Sequence, residues 1–285
     1  MSLYPIIVSD VENFDEELSC DDKFGDNEFG GYKILEVDKE RKEACFSPVS
    51  DDSFEEMQND CGFTQQAQEL KIFPDGEVVI VDGNKFKRPF VAGDTLNKKL
   101  RDLDFSSILN VFITIAEKLD IIHGVFVHGD VKPENIIIGE KNCVTFIDFG
   151  MSAFKGDTPN YRQFSSDYVA PELILSAKNK AKSAEANQDV YSFAKMVDSY
   201  FNSDVFAEEM NENLRPFFDL IQKMVDDSPN VRPSVSSFIV EANKIKDQYS
   251  EDLSFLSIDN DDMSDEEDEE DEEDEESLIQ FGYSM

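Results

Sequence analysis

The stretch that most constrains this 285-residue chain runs from His128 to Gly150. Asp130, Lys132 and Asn135 fall within six residues, in a turn held rigid by Pro133. The β-branched run Ile136-Ile137-Ile138 leads through the turn Gly139-Glu140-Lys141-Asn142 to a second apolar strand, which ends at Asp148 before Phe149-Gly150. Two carboxylates and an amide at strand ends form a hard-oxygen site suited to Mg²⁺, which takes one or two carboxylates plus substrate phosphates. Lys132 supplies a point charge for a phosphoryl group in transit. Asp and Asn are common turn residues, so each piece alone is weak. The full set in order, with Asp148 18 residues beyond Asp130, is specific.

These residues resemble the catalytic and metal-binding loops of protein kinases. The resemblance implies that Asp130 is the catalytic base orienting a substrate hydroxyl and that Lys132 steadies the transferring phosphoryl group. It also implies that Asn135 and Asp148 are the Mg²⁺ ligands, with ATP as donor. Lys at position 132 resembles the Ser/Thr-directed branch. Gly129 stands where most of the family carries an Arg that reads a phosphate on the activation loop, so its presence implies activity independent of loop phosphorylation. His128-Gly129-Asp130 also resembles aminoglycoside and choline phosphotransferases. Three downstream features favour the protein kinases over those small-molecule enzymes. Tyr168-Val169-Ala170-Pro171-Glu172 is similar to the close of an activation segment, and Asp189 opens a segment similar to the helix that caps the catalytic loop. Arg232 matches the Arg that pairs with Glu172. The resemblance covers about residues 86 to 248.

Composition bounds the rest. A hydrophobic content of 40 % with 24 Phe argues for a folded body long enough to bury a core. The four Cys (20, 45, 61, 143) lack metal-ligand spacing, as in a reducing compartment. Met1 to Val11 has no basic region of the signal-peptide kind, and Glu117, Lys118 and Asp120 interrupt the longest apolar run, so no membrane span is expected. Of the formal charge of −37, residues 259–276 hold 15 acidic side chains and no basic one, which leaves −22 for the remainder. Such a body disfavours nucleic acid and anionic membrane and favours basic protein partners.

The nucleotide-facing part is divergent. Residues 1–22 read as an acidic lead-in. Phe24 to Tyr32 resembles a glycine-rich phosphate loop, with Gly25 and Gly30 as its first and third glycines and Asn27 in place of the second. The Lys that grips the α- and β-phosphates should stand near Phe46 or Ser47, where neither residue can act. Lys42 shares a strand face with Ala44 and Phe46 and ranks slightly above Lys33 as a substitute; both also read as solvated hairpin lysines. Asp51-Asp52-Ser53 offers caps for a helix with Phe54, Met57 and Cys61 on its apolar face, and Glu55 or Glu56 matches the family's helix glutamate. Leu70 to Val91 reads as strands around a hairpin at Asp82-Gly83-Asn84. Phe90 and Val91 resemble the hinge that receives adenine through backbone groups.

The remainder reads as helices: Ile108 to Ile122 by apolar spacing, then Phe193–Phe201, Leu214–Val225 and Val235–Tyr249. His128 reads as a packed core residue rather than a ligand, and Ser165 occupies the usual activation-segment threonine position. From Ser250 the chain turns acidic, with Asp265–Glu276 unbroken, as in a disordered tail. Ser264 resembles a site for acidophilic kinases, and the tail reads either as solubilising or as a device that covers the substrate groove or recruits a basic substrate.

The expected architecture is α+β and bilobal: lead-in 1–22, a small β-rich lobe 23–92, a larger helical lobe 93–249 and an acidic disordered tail 250–285. The expected activity is transfer of the γ-phosphate of ATP, with Mg²⁺, to Ser or Thr of a basic protein inside the cell, in cytoplasm or nucleus. The alternative is a pseudokinase scaffold or allosteric partner, favoured by the missing strand Lys. A compact chain with a stripped nucleotide lobe is also similar to kinases of large DNA viruses, which would place it in a host cell.

Overall fold

The computed structural model describes residues 32–38, 41–48, 51–81, 85–158, 167–176, 182–201 and 214–258. Gly25, Gly30, Ser165, Ser264 and the acidic run lie outside the described residues. Residues Met1–Asp247 form one compact unit and Gln248–Met285 a second.

The first unit begins with an antiparallel sheet and one helix. Strands β1 (Tyr32–Asp38) and β2 (Glu43–Pro48) precede helix α1 (Asp51–Glu69), and β3 (Val79–Val81) and β4 (Lys85–Pro89) follow it. The sheet order is β1-β2-β4-β3. Alternation with a period of two sends Ala44 and Phe46 of β2, and Phe86 and Arg88 of β4, to the buried face. Met57 and Cys61 of α1 meet that face with Val78, and Phe54, Ile80 and Phe90 pack against the cluster. The apolar helix face expected from Phe54, Met57 and Cys61 is therefore the one that covers the sheet. The strand expected from Leu70 onward begins only at Val79. Residues 70–78 instead form a turn, held by Gln68, whose Nε2 donates to the carbonyls of Pro74 and Gly76 at 2.7 and 3.0 Å.

Beyond the sheet come β5 (Asp94–Thr95), α2 (Leu96–Lys99), α3 (Phe105–His123), β6 (Phe126–Val127), β7 (Ile136–Ile138), β8 (Val144–Phe146) and β9 (Ala153–Phe154). Helices α4 (Pro171–Ser176), α5 (Ala186–Phe201), α6 (Arg215–Met224) and α7 (Val235–Ile258) complete the order. Asp104 caps α3 by accepting from the Ser107 N–H at 2.7 Å, and the helix buries Ile108, Leu109, Phe112, Ile115, Ala116, Leu119 and Ile122, the periodic set read from the sequence. An aromatic chain ties the helices together: Phe112 to Phe201 at 5.8 Å between ring centres, Phe201 to Phe217 at 5.7 Å, Phe217 to Phe238 at 5.4 Å. Each such ring removed from water is worth about 1.5–3 kcal/mol.

Two short ladders aim the polar residues. β7 and β8 pair antiparallel with Ile136 opposite Phe146, so Asn135 and Ile147 are neighbours just off the ladder, joined by Ile147 N–H to Asn135 O at 2.9 Å. β6 pairs with β9, which brings the residues after Val127 beside those before Ala153.

Candidate active site

His128 is the floor of the site. It is fully buried between Phe146 and Phe149, with ring centres 5.3 and 5.1 Å away, and burial holds its imidazole below the usual histidine pKa and therefore neutral. Beneath the loop, the buried carboxylate of Asp189 accepts the N–H groups of His128 and Gly129 at 2.7 and 2.9 Å, and His123 Nε2 lies 3.2 Å from it. Burial works against that carboxylate, but His123 and these N–H bonds outweigh it and hold the pKa below the ordinary value. Asp189 thus fastens the loop to α5. Gly129 is required there: its φ is +81°, and a Cβ would sit 2.3 Å from the Met151 carbonyl oxygen. The Arg usual at this place in the resembling family has no room.

Above this floor the structure brings Asp130, Lys132 and Asn135 together. Lys132 is buried with its Nζ 2.5 Å from Asp130 Oδ2, and Asn135 Nδ2 donates to the Asp130 carbonyl and to Oδ2, both at 2.9 Å. Burial works against the Lys132 charge, yet Asp130 and Asp148 hold its pKa above that of an ordinary lysine. With Nδ2 spent, Asn135 Oδ1 faces inward, buried and without a hydrogen-bond donor. Asp148 adopts a left-handed φ of 63°, which for a non-Gly residue stores strain of a kind common at functional sites. Its carboxyl is pushed up by burial and then by the charge of Asp130, with Lys132 opposing. A carboxylate that resists ionisation beside an orphaned amide oxygen fits a divalent cation, which would relieve both. Among the described residues no three His, Cys, Asp or Glu side chains group to hold a metal. A cation held by Asn135 and Asp148 would therefore need substrate phosphates and water to complete its shell.

Helix α1 holds the opposite wall. Asn59 Nδ2 donates to the carbonyls of Gly150 and Ser152, both at 2.8 Å, and to that of Phe149 at 3.4 Å. Asp60 Oδ1 accepts the Phe149 N–H at 2.9 Å and the Thr64 hydroxyl at 3.0 Å. Sequence reading missed both residues. For Asp60 the available signal was the i, i+4, i+8 series Glu56, Asp60, Thr64, a polar stripe beside the apolar face. Of the two candidate glutamates, Glu55 is exposed and Glu56 turns inward. Burial, then the charges of Asp148, Asp60 and Asp130, push its carboxyl up to about 8, with Lys132 opposing.

The substitute lysine is a correction. Lys42 does not lie on a strand face with Ala44 and Phe46; it is exposed in the β1–β2 turn at a left-handed φ of 55°. Its carbonyl accepts the Phe90 N–H at 2.8 Å, so it stands at the hinge end of β2. Lys33 lies on β1 opposite Ser47. The Phe90 N–H being engaged, that group of the expected adenine-receiving pair is spent and Phe90 packs its ring on the sheet's core; Val91 follows, half-buried.

At the far side Arg232 meets Glu172 through paired bonds, Nη1–Oε1 and Nη2–Oε2, each 2.8 Å, with its guanidinium 4.9 Å from the Tyr191 ring centre. Asp189, Glu172 and Arg232, singled out from the sequence, thus brace the segment on either side of the site.

The comparisons agree with this geometry. The family model described as protein kinase domain matches residues 86–247. The serine/threonine-protein kinase PknD of Protochlamydia amoebophila is 33 % identical over 113 residues, 34 % of this chain and 11 % of that protein. An Aurora kinase of Eremothecium gossypii is 38 % identical over 104 residues, 34 % of this chain and 26 % of that protein. A Dictyostelium discoideum protein described as a "probable inactive serine/threonine-protein kinase" is 21 % identical over 180 residues, 53 % of this chain and 15 % of that protein. The chain thus spans roughly a tenth to a quarter of the length of these relatives. With more than half of its length matched by the domain model, the chain belongs to the protein kinase family.

Proposed function

We propose that the chain is an active serine/threonine kinase that transfers the γ-phosphate of ATP to hydroxyls of basic proteins. The observation that carries this reading is the contact of Asp130 with both Lys132 and Asn135, beside Asp148. Asp130 would receive the proton of the incoming hydroxyl, its Oδ2 already oriented by Lys132 and Asn135. Lys132, kept cationic by Asp130 and Asp148, would balance charge on the phosphoryl group. Asn135 Oδ1 and the Asp148 carboxylate would hold Mg²⁺, which when bound neutralises charge on the phosphates. Val91 would supply the adenine contact that Phe90 cannot make through its N–H. The names of the relatives support a Ser/Thr acceptor, and the formal charge of −37 supports a basic one. Among the described residues no helix is long and apolar enough to cross a membrane.

A pseudokinase is the second reading. It is favoured by the buried Phe46, with no Lys from β2 facing Glu56, and by relatives described as inactive. Incubation with γ-labelled ATP, Mg²⁺ and a basic generic substrate separates the two. Label recovered on Ser or Thr supports the enzyme; nucleotide binding with no label on any substrate supports the scaffold.

A further inference from the structure

Asp148 keeps a left-handed φ of 63°, which a non-Gly residue holds only where its surroundings over-determine it. Before it stands the β7–β8 ladder, continued by the Ile147 N–H on the Asn135 carbonyl at 2.9 Å. After it the ladder ends, and Phe149 to Ser152 form a tight turn closed by the Ser152 N–H on the Phe149 carbonyl at 3.0 Å. All residues of that turn except Met151 are buried. The Ser152 hydroxyl donates to the His128 carbonyl at 2.9 Å, so the turn also touches the loop that carries Asp130.

Three carbonyls of this turn, those of Phe149, Gly150 and Ser152, converge on one side chain of α1. Asn59 Nδ2 offers two hydrogens, and its partners are Gly150 and Ser152 at 2.8 Å each, with Phe149 a longer third acceptor at 3.4 Å. Buried carbonyls gathered at one point are costly without a donor between them. A carboxylate at position 59 would set acceptors against acceptors, and an apolar side chain would supply nothing. Helix α1 is itself seated by Met57 and Cys61 in the cluster under the sheet, and Asp60 takes the Phe149 N–H at 2.9 Å. Strand β2 carries no lysine: Phe46 fills the place expected of one, with the Arg88 guanidinium 4.8 Å from its ring centre. Among the described residues, α1 is thus hydrogen-bonded to the loop through Asn59 and Asp60 and is not paired with a lysine of β2.

We propose that Asn59 is a positioning residue. By closing the Phe149–Ser152 turn from α1, its amide holds Asp148 in the left-handed conformation from which it would take a cation together with Asn135. The ladder fixes Asp148 from one side and Asn59 from the other, so a shift of α1 would release the loop and a shift of the loop would release α1. The amide is neutral, so salt does not screen this hold. The consequence for Mg²⁺ rests on the reading of Asp148 given above; the hold on the loop does not.

The test pairs two readouts on the full chain, with Asn59→Leu, which keeps the volume and removes the donor, and with Asn59→Ala. The first is amide hydrogen exchange of the metal-free protein. Asn59→Leu should speed exchange at Ser152 by about tenfold or more and leave exchange in α6 unchanged. The second is the Mg²⁺ concentration at which ATP reaches half of its Mg²⁺-dependent thermal stabilisation. That midpoint should rise about tenfold or more, as when a group that orients a metal ligand is removed, while stabilisation by ATP in chelator keeps its wild-type value. Faster exchange everywhere, α6 included, would mean general loosening and overturn the proposal. Unchanged exchange at Ser152 would overturn it too. So would a wild-type Mg²⁺ midpoint beside faster exchange, which would leave Asn59 a packing residue of the turn. Should Asn59→Leu fail to fold, Asn59→Ala decides by the same two readouts, because position 59 is only half-buried and water can reach the freed carbonyls. A wild type whose melting does not respond to Mg²⁺ and ATP rejects the metal reading, while exchange at Ser152 still decides whether Asn59 holds the loop.

Discussion

Arg232 and Glu172 face each other through two parallel bonds of 2.8 Å, and both side chains are almost wholly buried. The pair joins the start of α4 to the segment before α7, and Arg232 also donates to the carbonyls of Asp226 and Asn187, at 2.7 and 2.9 Å. Replacing one partner leaves an uncompensated buried charge. Arg232→Met should therefore cost about 3–5 kcal/mol in urea unfolding, and the double change Arg232→Met/Glu172→Met markedly less. Equal losses in the single and double variants would show that the charge pairing is not what makes the site costly to break.

Restoring the residue that the family usually carries at position 129 should harm this protein. Gly129 has a φ of +81° and a Cβ there meets the Met151 carbonyl at 2.3 Å. Gly129→Arg should lower the melting temperature by several degrees, from about 1–2 kcal/mol of backbone strain plus the displaced carbonyl, and reduce transfer without conferring dependence on loop phosphorylation. A stable, fully active variant would mean that Met151 moves aside at little cost.

Glu56 sets a pH dependence. Its folded pKa of about 8 lies above the 4.5 of an ordinary glutamate, so the native state holds a proton there that the unfolded chain releases. Its contribution is fully present below pH 4.5 and is lost as pH rises toward 8. Asp60 adds the same sign between 3.8 and about 6. Asp189, lowered in the fold, contributes stability that fails only below 3.8, outside this window. The metal-free protein should thus melt at a lower temperature at pH 8.5 than at pH 6, and Glu56→Gln should flatten that slope and raise the melting temperature at pH 8.5.

Asp148→Asn should separate stability from ligand response. Burial and the Asp130 charge both disfavour the Asp148 carboxylate, so a neutral amide relieves them. The variant should be as stable as wild type or more so without ligands, yet lose the Mg²⁺-dependent part of stabilisation by ATP. Thermal melts with ATP in chelator and in excess Mg²⁺ read both effects; an undiminished Mg²⁺ response would remove Asp148 from the metal site.

Local chemistry made much of this fold legible. Asp130, Lys132, Asn135 and Asp148 sit within one hairpin whose register follows from two apolar strands, so spacing alone places them together. Asp189 and Arg232 are far away in sequence, but each lies in a recognisable segment. What stayed hidden depends on pairing between distant strands. Lys42 seemed to share the Phe46 face because the sequence does not show that β2 begins one residue later, after a left-handed turn. Arg88 was passed over because only the β2–β4 register puts it on Phe46. Its alternation with Lys85, Phe86 and Lys87 was nevertheless present in the sequence. Asn59 and Asp60 were hidden for a similar reason, since their partners are backbone groups about 90 residues away.

The central claim is that Asp130 makes this chain a catalyst. Initial rates of phosphate transfer from Mg²⁺·ATP to a basic Ser/Thr substrate, wild type beside Asp130→Asn, test it most directly. Loss of a positioned base predicts a fall of about 10²–10⁴-fold in the variant, with nucleotide binding retained. Equal rates in the two proteins, or a folded wild type that binds nucleotide and transfers nothing, would contradict it.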